Sequence, residues 1–127
     1  MIVVDTSALM AIVRREAQAF ACMTILEGEG EVLISAGTMA EALIVANRRG
    51  LSEEMDRLIE GLGMEVAPLT AASAKRVAEA YERWGEGVHP ATLNLGDCFA
   101  YELAKSRGCR LLFVGEDFSK TDLESAL

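Results

Sequence analysis

Four acidic residues stand where carboxylates could act together on one ligand: Asp5, Glu41, Asp97 and Asp117. Clustered carboxylates repel one another, and two unit charges about 4 Å apart cost ~1 kcal/mol in water and ~4 kcal/mol at an effective dielectric of 20. Mg²⁺ or Mn²⁺ removes that penalty, because hard cations take carboxylate oxygens and leave positions open for water and phosphate. One or two such ions activate a water and stabilise the leaving oxygen of a phosphodiester. If the four acids meet, the sequence predicts metal-assisted hydrolysis.

Short apolar runs alternate with helical patterns along the chain, and this alternation predicts where the acids lie. Strands are expected at Met1–Val4, Val32–Ile34, Met64–Ala67 and Arg110–Val114. Helices are expected from Thr6 to Arg15 and over Ala17–Glu27, Thr38–Arg49, Ser52–Leu62, Ala71–Trp84 and Asn94–Ser106. Strands that alternate with helices indicate βαβ units and a parallel sheet with right-handed crossovers. Strand ends and the starts of the following helices share one edge of such a sheet, so the topology brings the acids together.

Each acid also has a simpler structural explanation. Acids in first turns interact favourably with the helix dipole by ~0.3–1 kcal/mol. Thr38 and Glu41 fit a T-x-x-E capping box, so capping and metal binding explain Glu41 equally well. Asp117 and Asp122 follow the last strand and suit a turn. A purely structural role explains Asp5 least well, because this charged residue stands at the end of a fully apolar strand.

Composition places the chain in a broad class without deciding its function. The 127 residues, 51% hydrophobic and 25% charged, fit one globular domain over residues 1–127. No apolar run approaches the length of a membrane span, and no basic segment precedes the first apolar run, so a cytoplasmic protein is expected. The net charge of −8 argues against nucleic-acid binding when taken alone, but bound metal ions would reverse the local sign of an acidic pocket.

Cysteine and histidine offer little alternative chemistry. The three cysteines lack CxxC spacing, which indicates reduced thiols rather than a disulfide framework or a zinc site. Cys98 lies beside Asp97, but a nucleophilic role would need the single histidine, His89, as its base. His89 precedes a proline in a loop, where a packing role is the better interpretation.

Four segments resemble the PIN-domain ribonucleases, specifically the VapC toxins of VapBC toxin–antitoxin modules. They are MIVVDTSAL at the N-terminus, TMAEAL at Thr38–Leu43, HPATLNLGDCFAYELA at His89–Ala104 and LLFVGEDFSKTD at Leu111–Asp122. They occur in the family's order and spacing and span nearly the whole chain, whereas Leu51–Trp84 matches only in helical character. The pair LNLGDCFAYELA and LLFVGEDFSKTD is specific, while D-T-S alone would be a weak signal.

The resemblance implies a three-layer α/β/α fold with a central, mainly parallel sheet of four to five strands. It implies endonucleolytic RNA cleavage with one or two Mg²⁺ or Mn²⁺ ions in an acidic pocket. The expected acids are Asp5, Glu41, Asp97 and Asp117, with Asp122 as a further acid beside them. Thr6 or Ser7 matches the family's hydroxyl beside the first acid. In the predicted mechanism Asp5, Asp97 and Asp117 hold the cations, while Glu41 completes the coordination or positions the attacking water.

The resemblance also implies partners. A homodimer is expected, together with a small VapB-type antitoxin whose tail occludes the pocket, often with a basic side chain, in a heterotetramer or larger assembly. Arg14 and Arg15 end the helix that starts at the pocket, so we hypothesise that one of them contacts RNA phosphate.

Two other classes of function fit the same pattern less well. A receiver-type phosphoacceptor domain shares the length and the acidic pocket, but it requires adjacent acids after the first strand and an acceptor Asp after the third. Here Val4 and Thr6 flank Asp5, and the third strand ends at Ala67 before Pro68. A catalytically silent interaction module on the PIN fold would not need acids at all four positions.

Overall fold

A computed structural model describes all residues from Met1 to Leu127 and shows a four-stranded parallel sheet. The strands are β1 (Ile2–Val4), β2 (Val32–Ser35), β3 (Glu65–Ala67) and β4 (Arg110–Leu112), and they lie in the order β3-β2-β1-β4. In the register, Val3 of β1 pairs with Leu33 of β2 on one side and Leu111 of β4 on the other. The first strand is therefore central, as expected for a strand that is apolar on both faces.

Six helices cover the two faces of the sheet. They are α1 (Thr6–Val13), α2 (Ala19–Gly28), α3 (Ala36–Arg48), α4 (Ser52–Leu62), α5 (Ala71–Trp84) and α6 (Leu95–Arg107). Alternate strand residues enter two separate cores: Val3 packs with α5 and α6, whereas Ile2 and Val4 pack with the first four helices. The expected three-layer α/β/α fold is confirmed.

The start of α3 differs from the sequence-based expectation, which made Thr38 the N-cap. Strand β2 continues through Ser35, and the Ser35 hydroxyl caps the helix by accepting from Gly37 N at 3.2 Å. Thr38 is fully buried inside the helix, so the proposed T-x-x-E capping box is wrong. Because the helix starts earlier, Glu41 lies in its second turn and is not needed for capping.

The C-terminal tail covers the outer edge of β4. Leu111 N donates to Glu124 O at 3.0 Å, and Ala126 N donates to Leu111 O at 2.9 Å. These bonds satisfy backbone groups that an edge strand would otherwise expose. Among the helices, none has both the length and the apolar character needed to cross a membrane.

Candidate active site

Asp5 links the central strand to the first helix. It follows β1, caps α1 and is only 3% exposed. Its Oδ2 accepts from Ser7 N at 3.0 Å and from Ser7 Oγ at 2.6 Å. Its Oδ1 is buried and has no hydrogen-bond partner. Burial raises the pKa of Asp5 to about 6, against the opposing effect of the Ser7 hydrogen bonds. The unpartnered oxygen is a position where a cation would replace lost hydration.

The two hydroxyls after Asp5 have separate roles. Ser7 Oγ donates to Asp5 and accepts from Val114 N at 3.0 Å, which ties the end of β4 to the start of α1. Thr6 Oγ1 donates to Glu41 Oε1 at 2.6 Å. Each hydroxyl therefore orients a different carboxylate, a distinction that the D-T-S motif does not reveal by itself.

Asp97 lies at the same edge of the sheet as Asp5, but it belongs to α6, on the opposite face of the sheet from α1. It is the third residue of α6 and forms a capping box with Asn94: Asp97 N donates to Asn94 Oδ1 at 2.9 Å, and Asn94 N donates to Asp97 Oδ2 at 3.0 Å. The N-x-x-D spacing of Asn94 and Asp97 is the sequence signal for this capping box, which was not predicted from the sequence. Capping holds one oxygen of Asp97 in place and leaves the other free for a ligand.

The pKa of Asp97 shows that the four acids lie close enough for their charges to interact. The pKa of Asp97 is raised to about 7, first by burial and then by the charges of Asp5, Asp117 and Glu41, while the hydrogen bond from Asn94 acts in the opposite direction. Asp117 itself is exposed, in the turn after β4. The structure therefore brings together the four acids that the topology predicted.

The turn after β4 separates Asp117 from its neighbours. Phe118 is 2% exposed and packs on Phe113 with ring centroids 5.2 Å apart, which anchors the turn. Glu116 accepts from the Ser119 hydroxyl through its backbone carbonyl at 2.6 Å and through Oε2 at 3.3 Å. Glu116 thus serves the local turn, and Asp117 is the acid of this pair that couples to Asp97.

Asp122 does not join the cluster, contrary to its expected place beside the other acids. Its carboxylate accepts from Tyr101 Oη at 2.7 Å and Lys105 Nζ at 3.0 Å, and Arg83 lies 4.0 Å away. Burial raises the pKa of Asp122, but these donors and charges outweigh burial and lower it overall. Since Lys105 is eight residues after Asp97 on α6, Asp122 is anchored about 12 Å along that helix from the cluster.

The four acids supply the kind of oxygen atoms that a divalent cation binds, although their side chains do not yet converge on one point. No three Asp, Glu, His or Cys side chains are arranged to hold a metal ion together. Glu41 and Asp97 are turned toward protein donors, on Thr6 and Asn94. Carboxylate oxygens nevertheless suit Mg²⁺ or Mn²⁺, and the buried Oδ1 of Asp5 lacks a partner. The residues therefore fit such an ion, given side-chain rotation.

The other residues considered from the sequence lie outside this chemistry. His89 Nδ1 accepts from Ala91 N at 3.0 Å, and its ring meets Trp84 edge-on at 4.6 Å, which is a loop-packing role. Burial, then the charge of Asp97, raises the pKa of the Cys98 thiol to about 11, which disfavours a nucleophilic thiolate. Arg14 and Arg15 are exposed, make no ion pair and lie at the opposite end of α1 from Asp5.

The main surface clefts do not coincide with the acids. Clefts of about 350 Å³ and 700 Å³ run along α5, and neither is lined by any of the four acids. The chemistry points to the acidic edge rather than to the larger concavities, because the buried, unpartnered Oδ1 of Asp5 lies at that edge. Pocket size is therefore a poor guide to the site in this fold.

Comparison with known proteins agrees with the fold. A family model described as "PIN domain" matches residues 2–124. Ribonuclease VapC42 of Mycobacterium tuberculosis is 40% identical over 128 residues, which cover 98% of each chain. The crystal structure of Mycobacterium tuberculosis VapC20, described as a Sarcin-Ricin loop cleaving toxin, superposes with a TM-score of 0.78 at 19% identity and covers 97% of this chain and 96% of that one.

A second solved structure shows the same architecture. A toxin–antitoxin complex from Klebsiella pneumoniae matches with a TM-score of 0.71 at 15% identity, over 96% of this chain and 93% of that one. At these identities the two structures establish the fold alone. The family match over nearly the whole chain and the 40% identity carry more: the protein belongs to the PIN domain family and, within it, to the VapC ribonucleases.

Proposed function

We propose that the protein is the RNA-cleaving toxin of a toxin–antitoxin pair and that it hydrolyses RNA phosphodiester bonds with one or two Mg²⁺ or Mn²⁺ ions. The observation that carries the metal dependence is the buried, unpartnered Oδ1 of Asp5, in a group of acids whose charges raise the pKa of Asp97. RNA as the substrate follows from the VapC ribonucleases that the chain resembles at 40% identity.

The chain's own residues prepare this chemistry in defined ways. Asp5, Asp97 and Asp117 would hold the ion, which when bound supplies an activated water and offsets charge on the phosphate. Ser7 fixes the orientation of Asp5 through two hydrogen bonds, so that Oδ1 remains available. Thr6 fixes Glu41 by donating to its Oε1 at 2.6 Å, and the Glu41 carboxylate would then complete the coordination or position the attacking water. Burial of Asp5 and Asp97 limits competing hydration of these two acids and keeps them poised for a cation.

A cleavage assay tests the proposed activity directly. A mixed RNA pool is incubated with Mg²⁺, with Mn²⁺ and with EDTA, beside Asp5→Asn and Asp97→Asn. Cleavage is expected with either metal and in neither EDTA nor the variants. Asp117→Asn is also expected to lose cleavage, and Glu116→Gln is its matched control, because the two acids are adjacent and only the charge of Asp117 acts on Asp97. Full cleavage in EDTA would contradict the metal mechanism, and no cleavage in any condition would favour a silent module.

The proposal extends to protein partners. A small VapB-type antitoxin and a homodimer are expected for a VapC protein, with a heterotetramer or larger assembly when both are present. The net charge of −8 suits an antitoxin tail with basic side chains near the acids. Exposed apolar residues provide interface area, and Phe20 on α2 is 85% exposed. Light scattering of the protein alone tests the dimer, and a monomer at micromolar concentration would contradict it.

A further inference from the structure

Gly96 occupies a position where the backbone does not require glycine. It is the second residue of α6 and directly precedes Asp97. It is not among the glycines with positive φ, unlike Gly108 at the other end of the helix, where φ is +62°. Within a helix, glycine is destabilising relative to alanine because it loses more backbone freedom on folding. The reason for a glycine here must come from its surroundings.

Those surroundings are the carboxylate of Glu41. A Cβ atom added at Gly96 would overlap Oε2 and Cδ of Glu41 and would lie 2.8 Å from Oε1. Real Cβ atoms essentially never approach a neighbour closer than 3.0 Å. The Glu41 carboxylate therefore fills the volume that any side chain at position 96 would need. Helix α3 can present Glu41 to the start of α6 only because residue 96 has no side chain.

The opposite side of the same carboxylate is held by Thr6, whose hydroxyl donates to Glu41 Oε1 at 2.6 Å. The carboxylate thus lies between a hydroxyl of α1 and the backbone of α6. Because it is the free end of a flexible side chain, an added methyl group at position 96 would turn it away instead of unfolding the helix. Rotation would break the contact with Thr6 and move the charge away from the other acids.

We propose that Gly96 is a positioning residue for Glu41: the missing side chain leaves the space in which Glu41 lies between Thr6 and α6, facing the metal-binding acids. This inference rests on the proposed function, because the position of Glu41 matters only if the acids bind a cation for catalysis. Gly96 would act on the reaction through Glu41, without contacting RNA or metal itself.

Two other helical glycines provide comparisons. Gly61 lies in α4, and a Cβ added there would have no atom within 4 Å, so Gly61→Ala makes the same chemical change without a collision. Gly37 in α3 would place its Cβ 2.6 Å from Cδ1 of the Phe99 ring. An aromatic ring has less room to move than a carboxylate, so Gly37→Ala is expected to lower the melting temperature. Gly61→Ala is therefore the matched control for Gly96→Ala.

The first test compares Gly96→Ala and Gly61→Ala with the unmodified protein. Gly96→Ala is expected to weaken Mn²⁺ binding, measured by calorimetry, by about 10-fold or more, which is typical for loss of a group that orients a metal site. A similar fall is expected in kcat, with KM for RNA unchanged within about twofold, because Gly96 acts through Glu41 and does not itself contact RNA. The melting temperature is expected not to fall. Unchanged Mn²⁺ affinity and kcat would overturn the inference.

The second test asks whether the effect passes through Glu41. Aspartate at position 41 is one methylene shorter, so it leaves room for a Cβ at position 96. Gly96→Ala is therefore expected to cost several-fold less in the Glu41→Asp background than in the unmodified protein. Equal costs in both backgrounds would show that Gly96 acts by another route, and would overturn the inference.

The failures of the two proposals are distinguishable. If the unmodified protein cleaves RNA and Gly96→Ala does so equally, the inference fails and the proposed function stands. If the unmodified protein cleaves no RNA, the proposed function fails, and a crystal structure of Gly96→Ala still tests the positioning. That structure is expected to show Glu41 out of contact with Thr6. An intact hydrogen bond at about 2.6 Å would overturn the inference.

Discussion

The acids at the start of α6 and those near its end lie in opposite environments. At its start, Asp97 faces other carboxylates, and no cationic side chain is among the causes that shift its pKa. Near its end, Glu102 accepts from Arg76 at 3.0 Å and from Ser106 at 2.6 Å, and Asp122 is bonded to Lys105. The acids at the end are fully provided with protein partners. The acids at the start have other carboxylates as their charged neighbours, an arrangement whose repulsion a divalent cation would relieve.

The difference separates two uses of the same side-chain chemistry. Paired acids help to hold α5 against α6: Trp84 donates to Tyr101, which donates to Asp122 at the surface. Unpaired acids cost stability and are retained at the edge where α1, α3, α6 and the turn after β4 meet. Removing an acid should therefore have opposite effects at the two ends of the helix.

The largest effect is expected from neutralising the unpaired acids. Asp97→Asn should reduce RNA cleavage by at least ~100-fold, since losing a metal ligand costs more than losing a group that only orients one. The same substitution should raise the melting temperature at pH 8 by a few degrees, because an ionised carboxylate is removed from among like charges. The asparagine amide oxygen still accepts from Asn94 N, which preserves the cap. Cleavage assays and thermal unfolding measure the two effects; a lower melting temperature would contradict the electrostatic explanation.

A smaller and opposite effect is expected at the paired end. Asp122→Ala leaves the Tyr101 hydroxyl without its acceptor and should destabilise the fold by ~1–3 kcal/mol, as measured by urea unfolding. Its cleavage rate at 25 °C should stay within about threefold of the unmodified protein. If Asp122→Ala instead lost cleavage as completely as Asp97→Asn, Asp122 would belong to the active site after all.

The pH dependence should also distinguish the two ends. Asp5 and Asp97 have folded-state pKa values of about 6 and about 7, above their ordinary value of 3.8. Without metal, the folded protein therefore binds more protons than the unfolded chain between about pH 4 and 7, so these groups lower stability as pH rises through that window. Metal must displace those protons, so Mn²⁺ affinity should rise over the same window.

Calorimetry at pH 5.5, 6.5 and 7.5 measures the Mn²⁺ affinity and the protons released. Asp97→Asn should flatten the pH dependence, whereas Asp122→Ala should leave it unchanged. Affinity that is independent of pH in the unmodified protein would contradict the raised pKa values.

The smallest effect is expected at the far end of α1. Arg14→Glu with Arg15→Glu should weaken RNA binding several-fold and reduce its dependence on salt, because each phosphate contact contributes about one to the salt slope. The rate at saturating RNA should be unchanged, since both side chains lie a helix length from Asp5. Unchanged affinity and salt slope would remove these arginines from the RNA-binding surface.

The acidic edge was predictable because it follows from topology. Once Asp5 and Asp117 are placed after parallel strands and Asp97 at a helix start, the sheet brings them together whatever the details of packing. The parallel pairing of the strands follows from the same alternation of strands and helices, whereas the order of the strands in the sheet was not predicted. Ala71–Trp84 was predicted with its observed bounds, since Thr70 caps it by accepting from Ser73 N at 3.1 Å.

The sequence-based predictions failed where the structure depends on contacts between residues distant in sequence, or on the exact residue at which a strand ends. Ser35 and Thr38 are both good caps, and the length of β2 decides between them. Asp122 lies in the segment after the last strand, as Asp117 does, but the turn at Glu116–Thr121 directs it toward Tyr101 and Lys105. The proximity of Gly96 to Glu41 depends on the packing of α3 against α6, which no local pattern encodes.

The unpaired acids at the start of α6 should complete their site with a divalent cation. The most direct measurement is a crystal structure of the protein soaked in Mn²⁺, with the ion located by anomalous scattering. We predict an ion bonded to Oδ1 of Asp5, shared with Asp97 or Asp117, and absent from Asp5→Asn crystals. An ion bound only at Asp122, or no ion near Asp5 at millimolar Mn²⁺, would contradict this prediction.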